Sequence, residues 1–543
     1  MKTKKLFGVF ILGLGLALAL VWLLAAVAVS AGQEKSGTAG GAQQTALSPT
    51  LEISTTSSVV VIEGADPDMG AQDGAPDVLR EIAGGDVNGD GFEDLILGAI
   101  GANPGGRWNA GEVYIFFGQP TELSSPLMVS TTADVTIEGV DEDDEAGYAL
   151  ASGDVDGDGT DDVIINAVWA DPGGRVYAGE VYVVYGSSDL AGTVVISTTP
   201  DVLILEGVDA IDWAGQALAS GDFDADGYAD VIMGASWADP GGRADAGEIY
   251  VFYGRDRLTG THAISTTADV LILEGVDDDD RAGGHLVSSD VDRDGYDDLI
   301  ISAVLADPGG RSGAGEVYVV YGKNRLTGTH QISTTADVII EGVDPDDHAG
   351  GSLASGDVDG DGYDDLILGA SDADPGGRSK AGEVYVVYGA SDLTGTHQIS
   401  TTPGALILEG VDTNDLAGSA VACRDVNNDH FADIAVGAGF GDPGGRDAAG
   451  EVYVVYGSAG LSGTIPISNP GSVTVSTIQA VDEDDNAGRH LGIVDLNRDQ
   501  GGEIVIGAEG ADPGGRSNAG EVYVVYTCPD KYWIYLPLVL RNS

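Results

Sequence analysis

Positive charge is scarce in this chain: 24 Lys and Arg stand against 88 Asp and Glu in 543 residues, a formal charge of −64. So acidic a surface repels phosphate backbones and anionic lipid, which excludes nucleic acid as a partner. Cysteine is scarcer still. Cys423 and Cys528 are the two present; one bridge between them is permitted in an oxidising compartment, but two cysteines make no disulfide framework. No segment carries the ~3.6-residue apolar period of an amphipathic helix over helical length, which excludes a helical fold. Gly-x-Ser-x-Gly, His-Glu-x-x-His and phosphate-loop patterns are all missing, so catalysis has no motif to stand on. Histidines number seven. His262, His330 and His397 recur at one turn position, His285, His348 and His490 at the start of one strand, and His430 sits in an acidic loop. Such repetition reads as structure.

What the chain has in quantity is one acidic loop. Asp154-Val-Asp156-Gly-Asp158-Gly-Thr-Asp-Asp162 places carboxylates at positions 1, 3, 5 and 9 and Gly159 at position 6. Alternate residues of a tight loop can converge their oxygens on one point, and an all-oxygen set of this kind suits Ca²⁺. An EF-hand needs a bidentate Glu at position 12, where Ile165 stands, and a strand follows instead of a helix. The loop restarts at Asp86, Asp154, Asp222, Asp290, Asp357, Asp425 and Asp495, 67 to 70 residues apart. A fixed period of that length signals a repeat architecture rather than several unlike domains.

The candidate ligand sets follow by register. Four loops carry Asp at every ligand position: Asp154, Asp156, Asp158, Asp162; Asp222, Asp224, Asp226, Asp230; Asp290, Asp292, Asp294, Asp298; and Asp357, Asp359, Asp361, Asp365. Three depart from the pattern. Asp86, Asn88, Asp90, Asp94 has one charge fewer; Asp425, Asn427, Asp429, Asp433 has His430 at position 6; Asp495, Asn497, Asp499, Glu503 has Gln500 there. A side chain at a left-handed turn costs on the order of 1 kcal/mol, so the last two sites are expected to bind most weakly. Up to seven Ca²⁺ would offset about 14 units of the −64 charge.

Each repeat reads as four strands. In the second they are Ala149–Asp154, Asp162–Val168, Gly179–Tyr185 and Val202–Glu206, with Asp171-Pro-Gly-Gly-Arg175 as a reversal between the middle pair. The later strands are apolar on successive residues, so both faces must be covered. Four-stranded meanders stacked round an axis do this, and seven repeats predict an all-β, seven-bladed β-propeller of antiparallel blades. Strand counting tests closure. The last repeat lacks its fourth strand, while a spare one stands at residues 59–63. The prediction is that 59–63 completes the blade formed by 489–526 and locks the ring, removing open sheet edges.

The units Asp-Val-Asp-Gly-Asp-Gly-Tyr-Asp-Asp-Leu-Ile-Leu-Gly-Ala (357–370) and Gly-Glu-Val-Tyr-Val-Val-Tyr-Gly (382–389) resemble FG-GAP repeats. That family builds the calcium-binding propeller of integrin α-subunits and of many secreted bacterial proteins. The resemblance spans roughly 51–527 and implies a propeller with calcium sites; it names no ligand.

In such a meander the metal loops share one face with the Leu-Thr-Gly-Thr turns at 258–261, 326–329 and 393–396. The opposite face gathers Arg107, Arg175, Arg243, Arg311, Arg378, Arg446 and Arg516, the acidic links such as 276–280, and Trp108, Trp169, Trp213 and Trp237. Two expectations compete there: each Arg pairs with a neighbouring blade's acidic link, or the tryptophans stack on a sugar or protein loop.

The chain ends complete the reading. Lys2, Lys4 and Lys5 precede an apolar run from Leu6 to Val29, then Ser30-Ala31-Gly32, so 1–31 read as an export signal cleaved near Ser30 or Ala31 or, failing that, as a membrane anchor. No Cys follows, which excludes a lipoprotein anchor. Residues 32–50 read as a flexible linker, 51–527 as the propeller, and 528–543 as an apolar tail too short to span a membrane. The expectation is a monomeric, secreted or cell-surface, calcium-stabilised adhesion module that binds protein or glycan. A polysaccharide hydrolase or lyase using the Trp/Arg face, and a structural surface coat, are the alternatives.

Overall fold

The computed structural model of the protein describes residues 50–52, 59–64 and 79–527, apart from 200, 265–268, 324, 400, 401, 403 and 517. The expectations for the signal, most of the linker and the tail, including Cys528, lie outside the described residues.

The second repeat shows how the sequence makes a blade. An inner strand, Ala146–Gly153, runs into the acidic loop and pairs antiparallel with Asp162–Ala167. That strand pairs with Glu180–Val184, which pairs with Val202–Glu206, register Val181↔Leu205. All six residues of Asp162–Ala167 are buried, as consecutive apolar residues require. They are covered by neighbouring blades: Ile164, Val181, Val183 and Leu203 pack against Val231, Met233, Tyr250 and Phe252 of the third blade. Glycine permits the closest approach. A Cβ on Gly98 would lie 2.1 Å from the Gly147 carbonyl oxygen, and one on Gly437 would lie 1.9 Å from that of Gly488.

Seven sheets repeat this order, and each holds five strands, not four. The extra strand is short, parallel and borrowed: Gly260–Ala263, from the connection in the third repeat, pairs with Val202–Glu206 of the second blade. The turns read as Leu-Thr-Gly-Thr therefore lead into edge strands that tie one blade to the next. Their short polar pattern, Gly-Thr-His in three repeats, lacks the apolar alternation by which a strand is recognised.

Closure follows the strand count. Val59–Glu63 pairs antiparallel with Glu521–Val525, Val59 opposite Val525 and Glu63 opposite Glu521. A second N-terminal strand, Thr50–Glu52, pairs parallel with Val475–Gln479 of the sixth blade. It supplies the edge strand that every other blade receives from the following repeat. The innermost strand of the first blade, Leu79–Gly85, lies between Ala146–Gly153 and His490–Val494. The fold is an all-β, seven-bladed propeller. No described helix is long and apolar enough to cross a membrane.

Candidate functional site

Each acidic loop is tied down by its own backbone. In the second, Asp154 accepts the N–H groups of Asp158 and Gly159, both at 2.9 Å, and Asp158 accepts that of Thr160 at 3.0 Å. The position-9 carboxylate reaches further. Asp162 accepts from Val155 and from Gly186 at the exit of the third strand, each at 2.9 Å, so the loop is fixed to the blade before any ligand is considered. The same pair of bonds recurs at Asp94, Asp230, Asp298, Asp365 and Asp433. Because Gly186 and its equivalents leave the third strand here, loops and edge-strand connections do share a face.

Four of the loops bring three carboxylates together with ligand atoms within 4.8 Å of one another: Asp154, Asp156, Asp162; Asp222, Asp224, Asp226; Asp290, Asp292, Asp294; and Asp357, Asp359, Asp361. These are the four with Asp at every expected position. In the other three an Asn stands at position 3, leaving fewer carboxylates to converge, and no such acidic group forms there among the described residues. His430 and Gln500 adopt φ of 73° and 76°, the left-handed geometry that glycine serves elsewhere.

The electrostatics ask for a cation. Burial, reinforced by neighbouring loop carboxylates, pushes Asp94, Asp162 and Asp365 up to about 7 and Asp230, Asp298, Asp433 and Glu503 up to about 8. Position-3 carboxyls Asp156, Asp224, Asp292 and Asp359 are raised as well, first by burial and then by the Asp at position 5. Two position-3 side chains are orphaned: Asp224 Oδ1 and both polar atoms of Asn427 are buried without a hydrogen-bond partner. A buried oxygen left unpaired is costly, and an all-oxygen donor set with such an orphan fits a hard divalent ion. Arg257 stands 3.7 Å from Asp156 and Arg325 3.8 Å from Asp224, partial counter-charges beside two of the loops.

On the opposite face, the arginines of the reversals bind within their own blade. Arg175 donates to Glu206 at 2.7 Å and to the Gly207 carbonyl at 3.2 Å. Arg107, Arg243, Arg311 and Arg378 do the same with Glu138, Glu274, Glu341 and Glu409. This corrects the expectation of pairing with a neighbouring blade's acidic link: the guanidinium reaches the last residue of its own fourth strand, which lies beside the reversal. Arg516 shows the rule across the closure, bonding Glu63 at 2.6 Å. Arg446 is the exception, since Gln479 replaces the Glu and Arg446 keeps only the Ala480 carbonyl. The links themselves join blades through backbone, as in Ala214 N–H to Ala178 oxygen at 3.0 Å.

Three of the four tryptophans meet. Trp169 and Trp213 have ring centroids 4.7 Å apart, Trp213 and Trp237 4.8 Å, and Arg281 caps the run 3.7 Å over Trp237. Tyr177 adds an edge contact to Trp169 at 5.0 Å. Trp108 stands apart, 40% exposed. The histidines of the edge strands hold their own turns, His262, His330 and His397 each bonding a threonine carbonyl three residues back. Two features had no sequence signal. Arg424 makes a bidentate pair with Glu93 at 2.7 and 2.8 Å, joining residues 331 apart. The last Asp of six links (Asp144, Asp212, Asp280, Asp347, Asp415, Asp485) is pushed up to about 7, by burial first and then by surrounding Asp and Glu.

Comparison with known proteins bears on this geometry. The FG-GAP repeat model matches residues 79–116, 146–184, 214–252, 282–320, 349–387 and 417–455. The seventh unit has the same strand order in His490–Val494, Glu503–Ala508 and Glu521–Val525. The chain is 30% identical over 217 residues to the bovine (Bos taurus) phosphatidylinositol-glycan-specific phospholipase D, covering 39% of this chain and 25% of that protein. It is 30% identical over 247 residues to integrin alpha pat-2 of Caenorhabditis briggsae, covering 42% of this chain and 18% of the integrin. The chain thus matches a quarter or less of the length of these relatives. Among solved structures, the exotype rhamnogalacturonan lyase YesX is 10% identical, with a TM-score of 0.38 over 87% of this chain and 77% of that one. Strand order, repeat match and relatives agree: the chain belongs to the FG-GAP repeat proteins and carries an integrin-α-like β-propeller.

Proposed function

We propose that this protein is a calcium-stabilised propeller, exported to the cell surface and acting there by binding rather than by catalysis, as an adhesion or interaction module. The observation that carries this reading is the division of labour between the two faces. One face devotes itself to seven acidic loops, four of which converge three carboxylates each. The other presents exposed apolar side chains, among them Trp108, Val176, Tyr177 and Ile211 at 40 to 55% exposure, beside the packed run of Trp169, Trp213 and Trp237. Large exposed apolar side chains gathered on one face suit recognition.

Calcium is the ion these loops suit, since every candidate ligand is oxygen and the loops are exposed enough to fill and empty with the surrounding medium. Asp154, Asp156, Asp158 and Asp162, with their equivalents in the other six loops, would hold it; the ion would neutralise carboxylates that otherwise repel one another. Extracellular calcium modules work near 10⁻⁴–10⁻³ M, which agrees with an exported protein. The similarity to integrin α chains supports an interaction role without specifying a partner.

The test is a pull-down from cell envelopes with the purified full chain, with calcium and with EGTA. Recovery of a protein or glycan partner in calcium and its loss in EGTA is the expected result. Equal recovery in both, or turnover of a polysaccharide panel that disappears in Trp169→Ala and Trp237→Ala, would overturn the reading.

A further inference from the structure

The repeats are near copies of one another, yet they diverge sharply at one place. Six repeats approach or enter the inner strand through Ala-Gly, and all seven inner strands lead into the acidic loop. Between these, the third residue ranges from glycine to Tyr148 and Arg489, and the fourth from alanine to Glu81, His285 and His490. Most of these positions line one cavity of about 390 Å³. It lies on the axis, at the link face, with aliphatic side chains such as Leu286 and Leu353 one residue deeper. Its size falls within the ~300–1,000 Å³ of small-molecule sites. Positions that serve only the scaffold repeat here; these do not.

The charges around this funnel are unequal in their freedom. Arg489 pairs with Glu509, and His490 leans on the same carboxylate at 3.4 Å. Arg80 has no carboxylate within ion-pair distance among the described residues. Its guanidinium lies 4.2 Å over the Tyr148 ring, and Nη2 donates to the Tyr148 hydroxyl at 3.1 Å. Stacking fixes the plane of the guanidinium and leaves N–H groups at its edge for a planar, bidentate acceptor. Glu145 and Glu509 stand near enough to feel Arg80, as does Glu81 beside it in sequence. A dianion would meet their repulsion in full, whereas a monoanion meets half of it.

Away from Arg80 the polar lining is largely neutral. Gln216 offers the N–H groups of an amide whose oxygen already accepts from the Ser236 hydroxyl, Ser419 a hydroxyl, and His285 an exposed imidazole. Groups that both donate and accept match sugar hydroxyls. An acidic peptide side chain would engage Arg80 and leave the others without a role. We propose that the funnel binds a saccharide bearing a single carboxylate, the carboxylate on Arg80 and the hydroxyls on Gln216, His285 and Ser419.

This inference rests on the reading of the protein as a surface interaction module. Isothermal titration of the calcium-loaded full chain compares D-glucuronate and D-galacturonate with glucose and galactose, and with aspartyl and glutamyl dipeptides. The acidic sugars should bind at least tenfold more tightly than their neutral counterparts and than the dipeptides. Arg80→Met, which keeps the stem on Tyr148, should erase that preference. Ser419→Trp, which fills the cavity and leaves Arg80 in place, should abolish binding, and both variants should melt like the parent. Equal affinity for acidic and neutral sugars, no sugar binding, tighter dipeptide binding, or binding indifferent to both variants would each overturn the proposal. The envelope pull-down separates the two levels: calcium-dependent recovery that persists in Arg80→Met, with no sugar binding in the parent, refutes the funnel alone.

Discussion

At the scale of single residues, the acidic loops separate by one backbone requirement. Position 6 sits at φ near 90° in five loops, where it is glycine, and at 73° and 76° for His430 and Gln500. His430→Gly and Gln500→Gly should therefore each raise stability by about 1 kcal/mol, read as a higher denaturation midpoint in EGTA, where metal binding does not contribute. Unchanged midpoints would show that the turn is not strained. This difference was legible in the sequence, because the other five loops spell out the rule. The reach of the position-9 carboxylate to the exit of the third strand was not, since no spacing reveals which N–H a side chain accepts. Arg80 was equally hidden: it precedes the first loop like an ordinary strand residue, and only the axis gathers it with Tyr148 and His285.

Titration belongs at the same scale, and its sign can be worked out. Asp144, Asp212, Asp280, Asp347, Asp415 and Asp485 are raised from 3.8 to about 7, and the position-9 carboxyls to about 7 or 8. A raised carboxyl binds its proton more tightly in the folded chain, so its favourable contribution is whole below about pH 4 and is lost as pH climbs to 7. The opposing group is small: Glu93, Asp372 and Glu509 are lowered through pairs with Arg424, with Lys380 and His348, and with His490 and Arg489. Metal-free protein should consequently melt higher at pH 5 than at pH 7. With saturating calcium the order should reverse, because protons compete with the ion for the loop carboxylates. Parallel trends with and without calcium would contradict the assignment of the loops.

At the scale of elements, the arginine of each reversal holds the end of its own fourth strand. The sixth blade lacks that pair: Gln479 donates instead to Glu451 at 2.7 Å, and the Arg446 Nη2 is buried without a partner. Gln479→Glu should restore the arrangement of the other blades and stabilise the protein by about 1 kcal/mol, measured by chemical denaturation. The mirror change, Glu274→Gln in the third blade, should cost a similar amount. Strand identity at this scale was readable from consecutive apolar residues such as Val202–Glu206. The fifth strands were not, because Gly-Thr-His carries no apolar face and gains its place only from the blade it joins. The arginine partner was misread for a related reason: the acidic link follows the strand-terminal Glu by a few residues, and sequence alone does not say which carboxylate the side chain reaches.

At the scale of the whole molecule, the ring is closed twice from the N-terminus. Val59–Glu63 completes the seventh blade and Thr50–Glu52 edges the sixth, while Arg516 holds Glu63 and the Gly64 carbonyl. A chain beginning at residue 65 should expose the Glu521–Val525 edge, leave Arg516 unpaired, and aggregate or melt well below the parent. Closure was legible because repeats can be counted, and a surplus strand at one end matched a deficit at the other. What no count could supply was the axial funnel, which exists only once seven inner strands surround one line.

Calcium is the ion proposed to stabilise this ring. The direct measurement is calorimetry of the purified full chain in EGTA and at rising calcium, with bound metal quantified in parallel. At ten times its dissociation constant each ion should add roughly 1.4 kcal/mol, about 10 kcal/mol if all seven loops fill. The predicted result is a melting temperature that climbs with calcium as the stoichiometry passes four, the number of loops whose carboxylates converge, and tends toward seven. A melting temperature indifferent to calcium, or no bound metal at millimolar concentration, would contradict it.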